Sequence, residues 1–243
     1  MTNTDEAPWA NENSMLYWWP KIQKLDVPKP RTLIYLIPEK VRGELASENM
    51  RTLDMDAVKA VARKLGGYPL FMRTDLSSGK HSWKRTCFVE NESELKDHIF
   101  ELLCDNMMSG LVGLPFRALV FRMYIPMDTL FTAFHGDMPV NPEIRFFARD
   151  GKIECWHWYW VKDAIRHASK PDWKELLEEA EKKFSSAELA DLLKAAQTVA
   201  AEFKGYWSID FCRAKDKTWI LIDMAKGEES YHVPTCPRKE GIK

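Results

Sequence analysis

The 243 residues suffice for one large domain or two small ones, and with 45% hydrophobic and 12% aromatic side chains the chain can fill a sizeable core. A formal net charge of -1 argues against a protein-wide attraction to nucleic acid. No apolar run approaches the about 18 residues of a membrane-spanning helix, and the polar, acidic stretch Met1 to Asn13 is not a signal peptide. Residues 1–30 then become rich in Pro and Trp (Trp18, Trp19, Pro20, Pro28, Pro30) and read as an irregular arm. Leu33–Ile37 fits a short strand. Asp56–Leu65 fits a helix, with Val58, Val61, Ala62 and Leu65 on one side and Gly66-Gly67 as its stop. Pro69–Thr74 reads as a strand, Asp75–Ser82 as a loop and Lys84–Val89 as a second strand. Asn91-Glu-Ser-Glu94 resembles a capping box opening a helix towards Met108. Arg117–Ile125 is an apolar strand closed by Pro126. Glu143–Arg149 and Lys152–Trp160 flank Asp150-Gly151, a strong hairpin signal. Asp172–Phe184 and Ala187–Phe203 read as helices, with Gly205 closing the second. A final hairpin precedes a polar tail containing Pro234 and Pro237. Strands and helices mixed with antiparallel hairpins mean an α+β fold.

The final hairpin carries the most chemistry. Gly205-Tyr-Trp-Ser-Ile-Asp-Phe-Cys-Arg213 and Thr218-Trp-Ile-Leu-Ile-Asp-Met224 flank a polar turn. A turn centred between Asp216 and Lys217 sets Arg213 opposite Ile220 and Asp210 opposite Asp223. Such pairs have Cβ atoms about 5 Å apart, so two carboxylates there repel. A hard divalent cation such as Mg²⁺, which takes one or two carboxylates plus phosphate oxygens, removes the conflict and suggests a nucleotide. Glu143 and Arg145, two apart on one strand face, can reach a metal and a phosphate respectively. Arg73 stands at the end of a strand, before a small-residue loop with Ser78, Gly79 and Lys80 whose backbone can approach phosphate oxygens. It is not a Walker A motif. The strand ending at Tyr124 and Ile125 can offer backbone groups to an adenine edge, and Asp128 can accept from ribose hydroxyls. Trp156, Trp158 and Trp160 share a strand face and read as core or as an interface with the Trp-rich arm. Five scattered cysteines with no C-x-x-C spacing read as reduced cytosolic residues, neither a disulfide framework nor a zinc site, and the histidines show no metal-ligand spacing.

In this order, Pro69-Leu-Phe-Met-Arg73 with its Ser-Ser-Gly loop, Tyr124-Ile-Pro126, and the hairpin from Gly205 to Asp223 resemble the ATP-grasp superfamily. The resemblance spans about residues 65–233 and is most specific at the hairpin, which is similar to the metal-binding hairpin of D-alanine–D-alanine ligases. Arg73 stands where most members have Lys, and Ala225 where most have a metal-binding Asn. Arg73, Glu143/Arg145, the Trp-rich strand and Asp223-Met-Ala-Lys-Gly-Glu228 look like an ATP-grasp clade of phages and bacteria. The E-x-R pattern is also shared with ATP-grasp proteins that assist assembly of a translation initiation factor.

The resemblance implies two α+β subdomains whose antiparallel sheets sandwich the nucleotide. Residues 1–64 would form an N-terminal arm and reduced leading region, 65–125 the small subdomain with glycine loop and hinge, and 126–243 the large subdomain. It further implies a cytoplasmic ATP- and Mg²⁺-dependent carboxylate–amine or peptide ligase; the alternative is a non-catalytic ATP-binding assembly chaperone. Arg73, Ser78, Gly79, Lys80, Tyr124, Ile125 and Asp128 would bind ATP. Asp210, Asp223 and Glu143 would hold Mg²⁺, and Arg145 and Lys80 would act on the transferring phosphoryl group. The partners implied are ATP, a carboxylate and an amine, with neither membrane nor nucleic acid.

Overall fold

The computed structural model describes residues 11–46, 50–108, 116–234 and 236; the first ten residues and the tail beyond Cys236, with Pro237, lie outside them. The chain runs α1 (Met15–Ile22), β1 (Thr32–Leu36), α2 (Glu39–Ala46), α3 (Met55–Leu65), β2 (Leu70–Thr74), β3 (Phe88–Val89), α4 (Leu95–Met108), β4 (Ala118–Met123), β5 (Phe131–Ala133), β6 (Met138–Val140), β7 (Glu143–Arg149), β8 (Lys152–Trp158), α5 (Trp173–Lys182), α6 (Ser186–Ala200), β9 (Tyr206–Arg213) and β10 (Trp219–Lys226). It forms two compact units. One comprises Pro30–Ile125 with residues 134–138; the other comprises Met1–Lys29, Pro126–Ala133 and Pro139–Lys243. Among the described residues no helix is long and apolar enough to cross a membrane.

The unit of residues 30–125 holds an antiparallel sheet in the order β1-β4-β2-β3. Its central strand β4 is almost wholly buried, as a strand paired on both edges and covered by helices must be. Val58, Ala62 and Leu65 recur at i, i+4 and i+7 on α3 and pack with Leu95, Ile99 and Leu102 of α4 against Leu119 and Phe121. Asp54 caps α3 by accepting from the Ala57 N–H at 3.0 Å, and Gly66 ends it at φ 132°, a conformation closed to residues with a Cβ. The expected strand Lys84–Val89 shortens to β3, because residues 80–87 are taken up by a 3₁₀ turn (Lys80–Ser82) and local turns. The helix α2 went unread in the sequence.

Two weak acids in this unit, the buried Cys87 and the half-buried Tyr68, set an alkaline limit. Burial pushes the Cys87 thiol up to about 12 and the Tyr68 phenol, also facing the charge of Glu92, up to about 12. Unfolded, they titrate near about 8.5 and about 10. Their folded pKa values are raised, so their contribution is complete below the unfolded values and is lost as pH rises towards 12. We expect the melting temperature to fall between about pH 9 and about pH 12, less steeply in Cys87→Val. A melting temperature flat across that window would contradict it.

The second unit holds an antiparallel sheet in the order β10-β9-β7-β8. Asp150 and Gly151 turn β7 into β8 with φ 49° and 83°, the doubly left-handed turn that matches strand twist. A capping box of Ser185 and Glu188 starts α6, which buries Leu192, Ala196 and Val199. Trp156 and Trp158 meet Phe184 edge-on, with ring centroids 6.2 and 5.3 Å away, and are half-buried on the helix side of the sheet. Trp160 lies past the strand and donates its indole N–H to the Asn141 carbonyl. The arm expected to be irregular contains α1. Ser14 caps it, and Met15, Trp18, Trp19 and Ile22 form a buried i, i+3, i+4, i+7 stripe. Pro20 sits near its end, where only one further turn is affected. Tyr17 of α1 stacks on Trp207 of β9, 5.9 Å between centroids.

Candidate functional site

The hairpin β9–β10 sets Asp210 opposite Asp223, as expected, but by another route. The turn closes at Ala214 and Thr218, so Arg213 faces Trp219 and not Ile220. A β-bulge between Leu221 and Asp223 then takes up one residue and restores the acid pair. On the neighbouring strand, Arg145 pairs with Asp210 and Glu143 with Cys212. Paired residues share a sheet face, so Glu143, Arg145, Asp210 and Asp223 lie together on one side. Helix α6 and the Trp158–Phe184–Trp219 cluster use the other.

The cation the two aspartates require is, for Asp210, a guanidinium. Arg145 Nε and Nη2 donate to Asp210 Oδ1 and Oδ2 at 2.8 and 2.7 Å, a bidentate fork. Burial alone would depress the Arg145 pKa, but the adjacent Asp210 outweighs it and holds that pKa above the ordinary arginine range. Arg145 also lies over the Tyr159 ring at 4.6 Å and donates to the Tyr231 carbonyl at 3.3 Å. Glu143 is a carboxylate only 3% exposed, and Asp223 is half-buried. Burying carboxylates is costly unless they are paired or bind a cation, and three oxygen donors on one face suit a hard divalent ion. The three acids are oxygen donors of the kind a hard divalent ion takes, and Arg145 already neutralises part of their charge through both Asp210 oxygens. Ala225, two residues after Asp223 on the same face and opposite Ser208, offers only a methyl group. His157, opposite Arg145, was not among the expected site residues. Nor was the tail, in which Ser230 lies 2.7 Å from Ser208 and Tyr231 meets Arg145. Their nearness to the acids depends on strand register and on a chain return that local spacing does not encode.

Asp128, in the same unit, is held by Arg213 Nε and Lys217 Nζ at 2.9 and 2.8 Å. Its carboxylate therefore already serves the base of the β9–β10 hairpin.

The remaining expected residues belong to the other unit. Arg73 ends β2, is 4% exposed, and donates from Nε to the Thr74 carbonyl at 3.1 Å. The following loop is internally bonded: the N–H groups of Leu76 and Ser77 donate to Thr74 Oγ1, and that of Gly79 to Ser77 Oγ. Gly79 has φ 57°, and a Cβ there would meet Asp105 Oδ2 at 3.0 Å and Leu102 Cδ1 at 3.2 Å, so glycine is required both by backbone and by space. Ser78 and Lys80 flank it, half-buried. Tyr124 and Ile125 follow β4; Tyr124 packs on Phe88 with centroids 4.9 Å apart, and burial raises its pKa.

Residues 64–239 match the family described as ATP-grasp domain, R-two-K clade family 3. No curated protein matched. Among solved structures the chain is similar to C-terminally truncated Cdc123 from Schizosaccharomyces pombe, with 17% identity, a TM-score of 0.52 and coverage of 88% of this chain and 82% of that one. It is also similar to D-alanine–D-alanine ligase from Bacillus anthracis, with 14% identity, a TM-score of 0.51 and coverage of 95% and 62%. A third is the ADP complex of N5-carboxyaminoimidazole ribonucleotide synthetase, with 10% identity, a TM-score of 0.50 and coverage of 88% and 44%. At these identities the likeness concerns the fold, and the chain spans about half the length of the ligases it matches. The match over most of its length, on two units built around antiparallel sheets, shows that this chain belongs to the ATP-grasp superfamily, in R-two-K clade family 3.

Proposed function

We propose that the protein is an ATP- and Mg²⁺-dependent ligase joining a carboxylate, on a small molecule, peptide or protein, to an amine. The observation that supports this most is the acid face, where Glu143, Asp210 and Asp223 gather around Arg145. A carboxylate oxygen would attack the γ-phosphorus of ATP, releasing ADP and leaving an acyl phosphate. The amine would then attack the acyl carbon, release phosphate and lose its proton to form the amide. Asp210, Asp223 and Glu143 would hold Mg²⁺, which neutralises phosphate charge. Arg145, already positioned by its fork to Asp210, would stabilise charge on the transferring phosphoryl group. Arg73, Ser78, Gly79 and Lys80 would bind phosphates, with Lys80 also meeting the transferring group. Tyr124 and Ile125 would receive adenine and Asp128 the ribose, the last by exchanging part of its pairing with Arg213 and Lys217.

A second reading, a non-catalytic ATP-binding assembly factor, is favoured by Ala225, whose methyl cannot ligate a metal. Incubation with ATP, Mg²⁺ and pooled amino acids or peptides separates the two. ADP and phosphate release that depends on an added acceptor is the expected result. Tight ATP binding with no such release would establish the second reading instead.

A further inference from the structure

The tail after β10 returns across the sheet face that carries the acids. Ser230 bonds Ser208, and the His232 ring lies flat on Phe147, 4.0 Å between centroids and 9° between planes. This seats His232 Nε2 3.3 Å from Cys155 Sγ on β8. Four residues further on, Cys236 completes a cluster. One ligand atom from each of Cys155, His232 and Cys236 lies within 4.8 Å of the others. Cys155 is 1% and Cys236 4% exposed, and His232 is half-buried.

We propose that Cys155, His232 and Cys236 bind a zinc ion. Three features carry the assignment. Two sulfurs and an imidazole form a soft donor set that selects zinc over the hard, oxygen-seeking Mg²⁺. With Zn–S near 2.3 Å and Zn–N near 2.0–2.1 Å, tetrahedral ligand atoms stand about 3.5 to about 3.8 Å apart, close to the 3.3 Å between Cys155 Sγ and His232 Nε2 and within the 4.8 Å that bounds the cluster. The outer shell is also in place. His232 Nδ1 lies 3.0 Å from the Tyr206 hydroxyl, which can accept its N–H and leave the Nε2 lone pair directed at Cys155. Metal-binding histidines are oriented in this way. The strand residue lies far in sequence from the His-x-x-x-Cys segment, so spacing alone hides the site. Three protein ligands leave a fourth position for water or a substrate group. The ion would fasten the tail beside Arg145, whose Nη1 already holds the Tyr231 carbonyl.

The test uses the full chain, purified under reductant, stripped with a chelator and titrated with Co²⁺. We expect one Co²⁺ per chain with a thiolate-to-metal charge-transfer band and a strong visible band of tetrahedral geometry, both abolished by stoichiometric Zn²⁺. Cys155→Ser and Cys236→Ser should each weaken binding by about 100-fold or more, since even outer-shell changes cost about 10–100-fold. Cys104→Ser should bind as the parent does. Absence of the thiolate band in the parent would overturn the proposal, whatever the variants' folding. So would three titratable thiols, where five are expected, in unfolded unstripped protein, because that count means Cys155 and Cys236 form a disulfide.

Discussion

Replacing Arg145 with methionine should destabilise the protein by about 3–5 kcal/mol, the usual cost of breaking a buried ion pair by removing one partner. The Arg145 and Asp210 side chains are 12% and 6% exposed, so water cannot take over the vacated role. The variant leaves the Asp210 carboxylate buried beside Glu143 and opposite Asp223, three acids without their guanidinium. Arg145→Met with Asp210→Leu should recover most of the loss, since two apolar side chains need no counter-charge. Urea-unfolding midpoints of the parent, both single variants and the double variant measure this. A loss under about 1 kcal/mol for Arg145→Met would mean that the pair behaves like a solvated surface bridge.

Asp223→Asn should have the opposite profile. The side chain is half-buried and keeps its shape, and an amide can still accept the Met224 N–H that Asp223 Oδ1 accepts at 3.0 Å. The melting temperature should therefore hardly move. Mg-ATP turnover should fall about 100-fold or more, on the scale of losing one electrostatic group that acts on the transition state. Turnover equal to the parent's would remove Asp223 from the proposed metal set and with it the main support for ligation. Together the two variants separate the face's structural charge balance, centred on Arg145, from its chemical use, centred on Asp223.

How much of this was legible in the sequence depended on how local the causes were. Helix α3 was readable to within a residue because its apolar stripe and glycine stop are neighbours in sequence, although its Asp54 cap was not read. The β7–β8 turn was equally local, since Asp-Gly supplies the two left-handed residues it needs. Helix α1 was missed because proline density outweighed a four-residue stripe whose value lies in burial against distant strands. The opposition of Asp210 and Asp223 could be read from alternation, but the partner satisfying Asp210 could not. That partner, Arg145, lies 65 residues away and arrives through sheet order. The Cys155–His232–Cys236 cluster shows the same limit, as its halves meet only because the tail turns back over β8 and β9.

The bulge at Ile222 has a consequence for how this hairpin can vary. On β10 the residues beneath the helices are Trp219 and Leu221, then Met224 and Lys226, so the two-residue rhythm slips once between them. Were Ile222 paired in place of bulged, the turn's register would carry through and place Asp223 opposite Ile209, on the helix side. Because a strand side chain reverses face with every residue, one residue of length added at the turn can be cancelled by one residue of slack further along. The turn is thereby free to drift in length, provided the slack drifts with it, while the two acids stay aligned. Comparing such hairpins by turn length alone would therefore misalign the residues that matter.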